Sequence, residues 1–241
     1  MEQESAYFTN ETNSVIIESI NEEHLKKKGQ IIMKIAVVCA NGKEGRLITA
    51  EAISRGFDVT AMVRGENKSD AASAVIKDLF DLTKDDLSGF DVIVDACGAW
   101  TPETLDSIPN AVKKLCELLK GTDTRLLIVG GAGSLYVNKE RTLTVADGKD
   151  FPEAFKPLAA VHQTALDYLR TVKDVKWTYI SPAADFRTDG ERTGKYILAG
   201  EDFTLNSNGE SIISYADYAI ATVDEIENGN HICERISVVQ K

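Results

Sequence analysis

The sequence predicts an α/β fold in which helices cover both faces of a doubly wound, mostly parallel sheet of about seven strands. Two observations support this prediction. Short apolar runs, the first at residues 35–39, alternate along the chain with segments that repeat apolar residues at helical spacing. Continuous apolar runs are typical of strands buried on both faces, and strands that are connected by helices pair in parallel.

This alternation defines the individual elements. The predicted strands are residues 35–39, 59–63, 75–76, 91–96, 125–129, 177–180 and 235–239. Helices are predicted from Gly45 to a stop at Gly56, from Thr101-Pro102 to Gly121, across residues 158–169, and from Ser214 to about residue 227. A hydroxyl residue before proline is a typical helix start, and glycine is a typical stop. A glycine-rich hairpin region is expected before the last helix.

Residues 1–32 differ in composition from the rest of the chain. They contain six acidic residues, three lysines at residues 26–28 and one apolar cluster at residues 15–17, which predicts a tail or one weak helix. One hypothesis is that the functional chain begins at Met33, because the codons of Lys28 and Gly29 resemble a ribosome-binding site; a genuine tail is the alternative. Residues 33–241 contain no internal repeat or Pro/Ser-rich linker, so we expect a single domain there.

Composition disfavours several classes of function. The formal net charge of −11 disfavours binding to nucleic acid or an anionic membrane, and no run reaches the ~18 apolar residues of a membrane helix. The cysteines lack zinc-ligand spacing, so we expect no metal site and small, buried, reduced thiols at Cys39, Cys97, Cys116 and Cys233. The acidic N-terminus is not a secretory signal. We therefore expect a cytoplasmic protein that acts on a small molecule, with its oligomeric state, monomer or dimer, left open.

The loop after the first strand has the pattern of a phosphate-binding site. It reads Asn41-Gly42-Lys43-Glu44-Gly45 and leads directly into the first helix. Glycines three apart let backbone N–H groups approach a diphosphate, and the helix N-terminus adds a partial positive charge. We therefore expect these residues to bind a dinucleotide, with a tight turn that binds nothing as the alternative.

Further motifs follow strands three to six: Asp78-Leu79, Gly98-Ala99-Trp100, residues 130–134 and residues 177–182. Together with the glycine loop they resemble the extended and atypical short-chain dehydrogenase/reductases, which are NAD(P)-binding Rossmann proteins. Residues 33–241 are similar to the bacterial NADH-flavin reductase group, which is related to NmrA-like proteins and to flavin/biliverdin-IXβ reductase. The resemblance implies cofactor contacts from Asp78, Leu79, Gly98, Ala99, Trp100, Gly131, Ala132, Ser134 and Pro182.

Cys39 departs from the family pattern, because the family often has its first glycine at this position. An extended backbone at Cys39 would tolerate the side chain. We therefore expect the turn to keep its shape if Cys39 is extended.

The end of the second strand indicates which dinucleotide is bound. An acidic side chain there binds the ribose of NAD, whereas a basic one binds the 2′-phosphate of NADP. The strand is followed by Arg64 and then by Lys68, so NADP(H) is favoured over NAD(H). The alternatives are a solvated Arg64 with Glu66 opposing its charge and, for Asp78, a turn cap instead of an adenine contact.

The helix after the fifth strand lacks the pair that carries carbonyl chemistry in the wider superfamily. The resemblance places a Tyr-x-x-x-Lys pair there, but the corresponding positions hold Leu158 and His162. A carbonyl substrate requires a positioned proton donor, whereas a flavin or quinone stabilises its own charge after hydride transfer. The absent tyrosine therefore favours FMN, FAD or a quinone as the acceptor.

Ser134 and His162 are the candidate catalytic residues. Ser134 would lie over the nicotinamide ribose or the acceptor, or it could stabilise the turn. His162 could replace the missing acid or hold the ribose, although we favour a plain helix-surface position. Trp100, Tyr136 and Phe186 follow strands four, five and six, so they are predicted to form the walls of a flat acceptor site.

Three functions agree with these features. The leading interpretation is an NAD(P)H-dependent reductase that transfers hydride to a flavin or quinone. The alternative is an NmrA-like sensor that binds NADP(H) and signals to a partner without turnover. A nucleoside-sugar epimerase is a third interpretation, which the missing tyrosine disfavours.

Overall fold

The computed structural model describes residues 32–241, so almost all of the predicted N-terminal tail lies outside the described residues. The strands are β1 (Lys34–Val38), β2 (Asp58–Val63), β3 (Ser73–Ile76), β4 (Val92–Asp95), β5 (Arg125–Val129), β6 (Lys176–Ser181), β7 (Asp185–Arg187), β8 (Tyr196–Ala199), β9 (Ile212–Ser214) and β10 (Glu234–Gln240). The α-helices are α1 (Lys43–Ser54), α2 (Ser107–Leu119), α3 (Lys156–Thr171) and α4 (Tyr215–Asn228).

Eight strands form one sheet in the order β3-β2-β1-β4-β5-β6-β10-β8. All neighbours are parallel except β8, which runs antiparallel to β10 at the edge. The doubly wound, mostly parallel Rossmann sheet is therefore confirmed, and each of the seven predicted strands lies in it. The strands β1 to β3 follow one another in one direction across the sheet, and β4 then lies on the other side of β1. This reversal of strand order opens a crevice at the carboxyl ends of β1 and β4.

The region predicted as a hairpin contains three strands that the sequence did not indicate. β8 forms the eighth strand of the sheet, and β7 pairs in parallel with β9 as a separate two-stranded sheet. β7 and β9 have three residues each, which is too short for an alternating pattern to be recognised. The prediction of a hairpin there was wrong.

The helices lie on both faces of the sheet, as predicted. Ile35 and Val37 of β1 belong to the core under α1 and α4, whereas Ala36 and Val38 belong to the core under α2 and α3. Successive side chains of a strand point to opposite faces, so one apolar run fills both cores. No helix among residues 32–241 is long and apolar enough to cross a membrane.

Two helix starts differ from the prediction. α1 begins at Lys43, two residues before Gly45. Thr101-Pro102 opens a short 3₁₀ turn, and α2 begins only at Ser107. A hydroxyl residue followed by proline is favourable at the start of an α-helix and of a 3₁₀ helix alike, because both leave their first backbone N–H groups without partners. The local sequence therefore does not distinguish the two kinds of helix.

Candidate functional site

Most of the predicted site residues lie just after the carboxyl ends of β1 to β6, whereas His162 lies on α3 and Phe186 in β7. The loop after β1 forms the start of α1. Its first intrahelical hydrogen bond runs from the Arg46 N–H to the Gly42 carbonyl at 3.0 Å, so the amides of Lys43, Glu44 and Gly45 have no partner within the helix. Three such amides with the positive end of the helix dipole form a site for an anionic group.

Gly45 allows α1 to start close to the end of β1. A Cβ atom at Gly45 would lie 2.7 Å from the Cys39 carbonyl oxygen and 3.0 Å from the Ala40 Cα, distances that leave no room for a side chain. Gly42, by contrast, is exposed and has an extended backbone at the N-cap. The loop therefore fits a dinucleotide diphosphate, because Gly45 brings the helix amides to the strand end and Gly42 leaves them accessible.

The backbone of Cys39 is in the left-handed region, with a φ of +60°. The Cys39 side chain was expected to be tolerated if the backbone were extended, and the backbone is not extended. Residues with a Cβ atom adopt this region at a cost of about 1 kcal/mol or more, so Cys39 stores strain where the family often has glycine. The turn nevertheless closes, because the Cys39 carbonyl accepts a hydrogen bond from the Gly42 N–H at 2.9 Å.

The side chain of Asn41 connects the glycine loop to the loop that follows β2. Its Nδ2 donates to the Glu66 carbonyl at 2.8 Å, and its Oδ1 accepts from the Lys68 N–H at 2.7 Å. Both ends of the amide are therefore used within the protein. Asn41 positions the loop that carries Arg64, which is exposed and forms no ion pair with any other described residue.

The predicted contacts after β3 and β4 have different environments. The Asp78 carboxylate accepts a hydrogen bond from the Phe80 N–H at 2.9 Å and thereby caps a short turn, which is the alternative that the sequence left open. Leu79 and Ala99 are buried. Trp100 is 75% exposed. Gly98 is exposed beside it, since a Cβ atom on this glycine would lie 3.8 Å from the Trp100 indole nitrogen.

Tyr179 of β6 organises the loop that follows β5. Its side chain is fully buried, and its hydroxyl accepts a hydrogen bond from the Gly131 N–H at 3.0 Å. The same hydroxyl lies 3.2 Å from Nδ1 of His162. Gly130 and Gly131 leave room for the two rings. A Cβ atom at Gly130 would lie 2.3 Å from the Tyr179 ring, and one at Gly131 would lie 2.9 Å from the His162 ring.

His162 faces inward from α3, so the favoured helix-surface position was wrong. It is packed against Gly131 and held by Tyr179. Burial lowers the pKa of His162 to about 4, so its imidazole is neutral at neutral pH. A signal was present in the sequence, since Leu158, His162, Ala165 and Leu169 follow helical spacing on one face of α3.

Ser134 is buried, and its hydroxyl is bound to a buried arginine. Nη1 of Arg235 donates to the Ser134 Oγ at 2.9 Å, and the same guanidinium pairs with Glu201. Glu201 also accepts a hydrogen bond from Arg170 of α3 at 2.8 Å. This network fixes the β5 loop to β10 and α3. No local pattern in the sequence indicates it, because Ser134 and Arg235 are 101 residues apart.

The three aromatic residues expected to surround an acceptor have separate surroundings. Phe186 packs against Tyr215 and Tyr218 of α4, with ring centroids 4.0 Å and 4.9 Å away. Tyr136 stacks with the Arg235 guanidinium at 5.6 Å, and Trp100 is open to solvent. Pro182 is buried directly after β6.

The thiols are less buried than expected. Cys116 is buried, but Cys39 and Cys97 are partly exposed at the strand ends, and Cys233 is exposed in the loop before β10. The neighbouring Cys97 thiol and burial raise the pKa of the Cys39 thiol.

Asp95, beside these two thiols at the end of β4, is a buried carboxyl group. Burial raises the pKa of Asp95 to about 7, although its Oδ1 accepts a hydrogen bond from the Cys97 N–H at 3.0 Å. Asp95 therefore changes its charge close to neutral pH.

A cavity of about 410 Å³ lies at the opposite edge of the sheet, where β4, β5 and β6 begin. Its lining includes Asp91, Asp123 and Lys176. The length of the strands separates this cavity from the loops at the carboxyl ends, so it is not part of the candidate site.

Comparison with known proteins shows the family to which the chain belongs. Residues 39–228 match a family described as NAD(P)H-binding. The chain is 42% identical over 212 residues to the uncharacterized protein YwnB of Bacillus subtilis, covering 87% of this chain and 99% of that protein. It is 56% identical to a solved structure from Streptococcus pneumoniae named a "putative NADH-flavin reductase", with a TM-score of 0.85 over 87% of this chain and 100% of that chain.

A solved "putative epimerase" from Bacteroides thetaiotaomicron is 32% identical, with a TM-score of 0.76 over 87% of this chain and 98% of that chain. The family match begins at Cys39 and therefore includes the glycine loop and the loops after β2 to β6. The chain belongs to the NAD(P)H-binding family within the atypical short-chain dehydrogenase/reductases.

Proposed function

We propose that the protein is a reductase that uses NADPH in preference to NADH and transfers hydride to a flat acceptor, either a flavin (FMN or FAD) or a quinone. The name of the similar Streptococcus pneumoniae protein supports this class of reaction. The net charge of −11 disfavours nucleic acid and membranes as partners, so the proposed acceptor is a small molecule, and the proposed location is the cytoplasm. The proposed functional unit is residues 33–241, a single domain that carries both the cofactor site and the acceptor site.

One observation carries the proposal: the tyrosine that donates the proton in the wider superfamily is absent, and burial keeps His162 neutral. Position 158 is leucine, the His162 Nδ1 lies 3.2 Å from the Tyr179 hydroxyl, and the Ser134 Oγ accepts a hydrogen bond from Arg235. A carbonyl group needs a proton donor as it accepts hydride, and such a donor contributes typically 10²–10⁴-fold in rate. A flavin or quinone stabilises its own charge after hydride transfer, so it needs much less proton donation from the protein.

The chain's own residues would hold the dinucleotide as follows. The amides of Lys43, Glu44 and Gly45 would bind the diphosphate, and Arg64 with Lys68 would bind the 2′-phosphate on the loop that Asn41 positions. The bound nicotinamide supplies the hydride.

The loops after β3 to β6 would complete the cofactor site. The loop at residues 130–134, fixed by Tyr179 and Arg235, would hold the nicotinamide half. Within this loop the proposed contacts are Gly131, Ala132 and Ser134, and the other loops supply Asp78, Leu79, Gly98, Ala99, Trp100 and Pro182.

Trp100 is the proposed main contact for the acceptor. Its indole is 75% exposed, and an exposed tryptophan offers a large flat surface on which an isoalloxazine or quinone ring can stack. Tyr136 and Phe186 pack against other side chains, so we propose that they form the edges of the acceptor site.

The experiment is steady-state oxidation of NADPH and of NADH, each with no acceptor, with FMN, with FAD and with a soluble quinone. The proposal expects turnover that depends on the acceptor and a higher kcat/KM for NADPH. A Gly45→Val variant is the negative control, since its side chain would collide with the Cys39 carbonyl. Tight NADPH binding without turnover by any acceptor would instead support the redox sensor, and turnover of a carbonyl compound alone would contradict the proposal.

A further inference from the structure

Cys39 and Cys97 lie at neighbouring strand ends on the same side of the sheet. Val38 of β1 is in register with Asp95 of β4, and the two cysteines follow these residues by one and by two positions. Both side chains pack against the core under α2 and α3, and both are partly exposed. Neighbouring strands lie about 4.8 Å apart, within the roughly 4.4–6.8 Å that separates the Cα atoms of a disulfide. The two thiols are therefore placed to react with each other.

The surroundings of the two thiols give them different reactivity. The neighbouring Cys97 thiol and then burial raise the pKa of the Cys39 thiol, whereas the Arg64 guanidinium lowers it. Because the thiolate is the form that attacks a disulfide, Cys39 is the weaker first nucleophile. Cys97, whose Sγ lies 3.9 Å from the Ser107 Oγ at the start of α2, is the thiol that reacts first. Once the Cys97 sulfur is bonded to another sulfur, the main influence that keeps Cys39 protonated is removed.

Both cysteines lead directly into loops of the candidate dinucleotide site. The Cys39 carbonyl oxygen accepts a hydrogen bond from the Gly42 N–H at 2.9 Å and would lie 2.7 Å from a Cβ atom at Gly45. A shift of the Cys39 backbone therefore displaces the first turn of α1. Cys97 is followed at once by Gly98 in the loop after β4. A disulfide holds its Cβ atoms about 3.5–4.5 Å apart, so it would join these two loops and fix their separation.

We propose that Cys39 and Cys97 are a redox-sensitive pair whose disulfide links the ends of β1 and β4 and weakens dinucleotide binding. The oxidant is a low-molecular-weight disulfide of the oxidised-glutathione class. Disulfides in reducing compartments are usually transient and often redox-sensing, which agrees with a pair that is partly exposed. Formation of the bond needs no nucleotide. Its effect on binding rests on the proposed cofactor site and not on the identity of the hydride acceptor.

The reaction is two successive thiol–disulfide exchanges. The Cys97 thiolate attacks one sulfur of the oxidant, which releases one thiolate and leaves a mixed disulfide on Cys97. The Cys39 thiolate then attacks the Cys97 sulfur and releases the second thiolate. The two protons that the cysteines lose pass through solvent to the two released thiolates, and two electrons pass from the cysteines to the oxidant.

The first measurement locates the bond in the native chain. The protein is equilibrated with oxidised glutathione, the remaining thiols are alkylated, and its peptides are mapped by mass spectrometry. We expect a cross-link between the peptides of Cys39 and Cys97 that dithiothreitol reverses. Cys39→Gly, which suits the positive φ, should instead retain one glutathione on Cys97, because the second thiol is missing. Absence of the cross-link in the native chain, or a dominant bond between other cysteines, would overturn the proposal.

The second measurement compares the NADPH affinity of the oxidised and the reduced chain by titration calorimetry. We expect oxidation to weaken binding roughly 5–150-fold, the usual range of coupling between two sites, and reduction to restore it. Cys233→Ala removes an exposed thiol and keeps the pair, so it should respond as the native chain does. Cys97→Ser should not respond to oxidised glutathione.

Unchanged affinity of the cross-linked chain would overturn the proposal, as would an equal loss of affinity in Cys97→Ser. If Cys97→Ser does not fold, Cys97→Ala replaces it. Neither measurement uses turnover, so the reductase proposal can fail while this one stands, and the reverse is also true.

Discussion

The hydroxyl of Tyr179 lies 3.2 Å from Nδ1 of His162 and 3.0 Å from the amide nitrogen of Gly131. These contacts join β6, α3 and the loop after β5 at one buried point. A tyrosine is thus present near the position where the wider superfamily has its catalytic pair, but it comes from a strand and its hydroxyl is enclosed. Burial raises the pKa of this phenol above its ordinary value, which suits a structural role better than proton transfer.

We predict that Tyr179→Phe lowers the free energy of unfolding by about 1–3 kcal/mol. The substitution leaves the Gly131 N–H without its acceptor in a partly buried position. Urea denaturation at pH 7 measures the change. Tyr136→Phe is the matched control, because its hydroxyl has no hydrogen bond with the described residues, and it should shift stability by less than about 0.5 kcal/mol. Equal effects of the two substitutions would contradict the role assigned to Tyr179.

We predict that Arg64→Ala weakens NADPH binding roughly 10–100-fold and leaves NADH binding nearly unchanged. The loss corresponds to one charge-assisted contact with the 2′-phosphate, about 1.5–3 kcal/mol. Fluorescence titration with both nucleotides measures it, with Lys84→Ala as a control for the change of net charge at an exposed residue before β4. An equal loss for NADPH and NADH would show that Arg64 acts on the fold of the loop instead.

We predict that Gly45→Ala destabilises the fold by about 1–3 kcal/mol and weakens dinucleotide binding. The new Cβ atom would lie 2.7 Å from the Cys39 carbonyl oxygen, which belongs to a strained backbone segment. Gly200→Ala is the control, because no atom lies within 4 Å of its added Cβ. Thermal unfolding with and without NADPH distinguishes the two variants, and a neutral Gly45→Ala would show that α1 does not need this close approach.

We predict that Asp95→Asn becomes increasingly stabilising, relative to the native protein, as the pH rises from 5 to 8. The unfolded carboxyl group ionises near pH 4, whereas burial raises the pKa of the folded group to about 7. Between these values the folded chain holds the extra proton, so native stability falls as the pH rises, by roughly 4 kcal/mol in total. Asparagine has no such proton and can still accept the Cys97 N–H. Unfolding measured across this pH range should therefore show a growing difference, and a constant difference would contradict the assignment.

The sheet could be predicted because each parallel strand is an apolar run buried on both faces. Residues 35–39 contribute to both cores from one such run, which leads into the glycine loop. β7 and β9 could not be predicted, because three residues are too few for a period and their pairing partner is distant in the chain.

The sequence predicts where the candidate site residues lie in the fold, but it does not predict their hydrogen-bond partners. The strand-end rule predicted that Arg64, Ser134 and Gly45 follow strands at one edge of the sheet, and the structure has them just after β2, β5 and β1. The bonds of Ser134 with Arg235 and of Tyr179 with Gly131 join residues far apart in sequence, so no local pattern contains them. His162 differs, because its helical spacing with Leu158 already indicated an inward position.

The central claim is that this chain positions NADPH beneath an acceptor and uses no dedicated proton donor. The most direct measurement is kcat for acceptor-dependent NADPH oxidation in Ser134→Ala and His162→Ala, with NADPH affinity measured in parallel. The account predicts that each substitution lowers kcat by less than roughly 10²-fold. A loss of about 10³-fold or more at unchanged NADPH affinity would contradict it, because that result requires a dedicated proton donor and indicates a carbonyl acceptor.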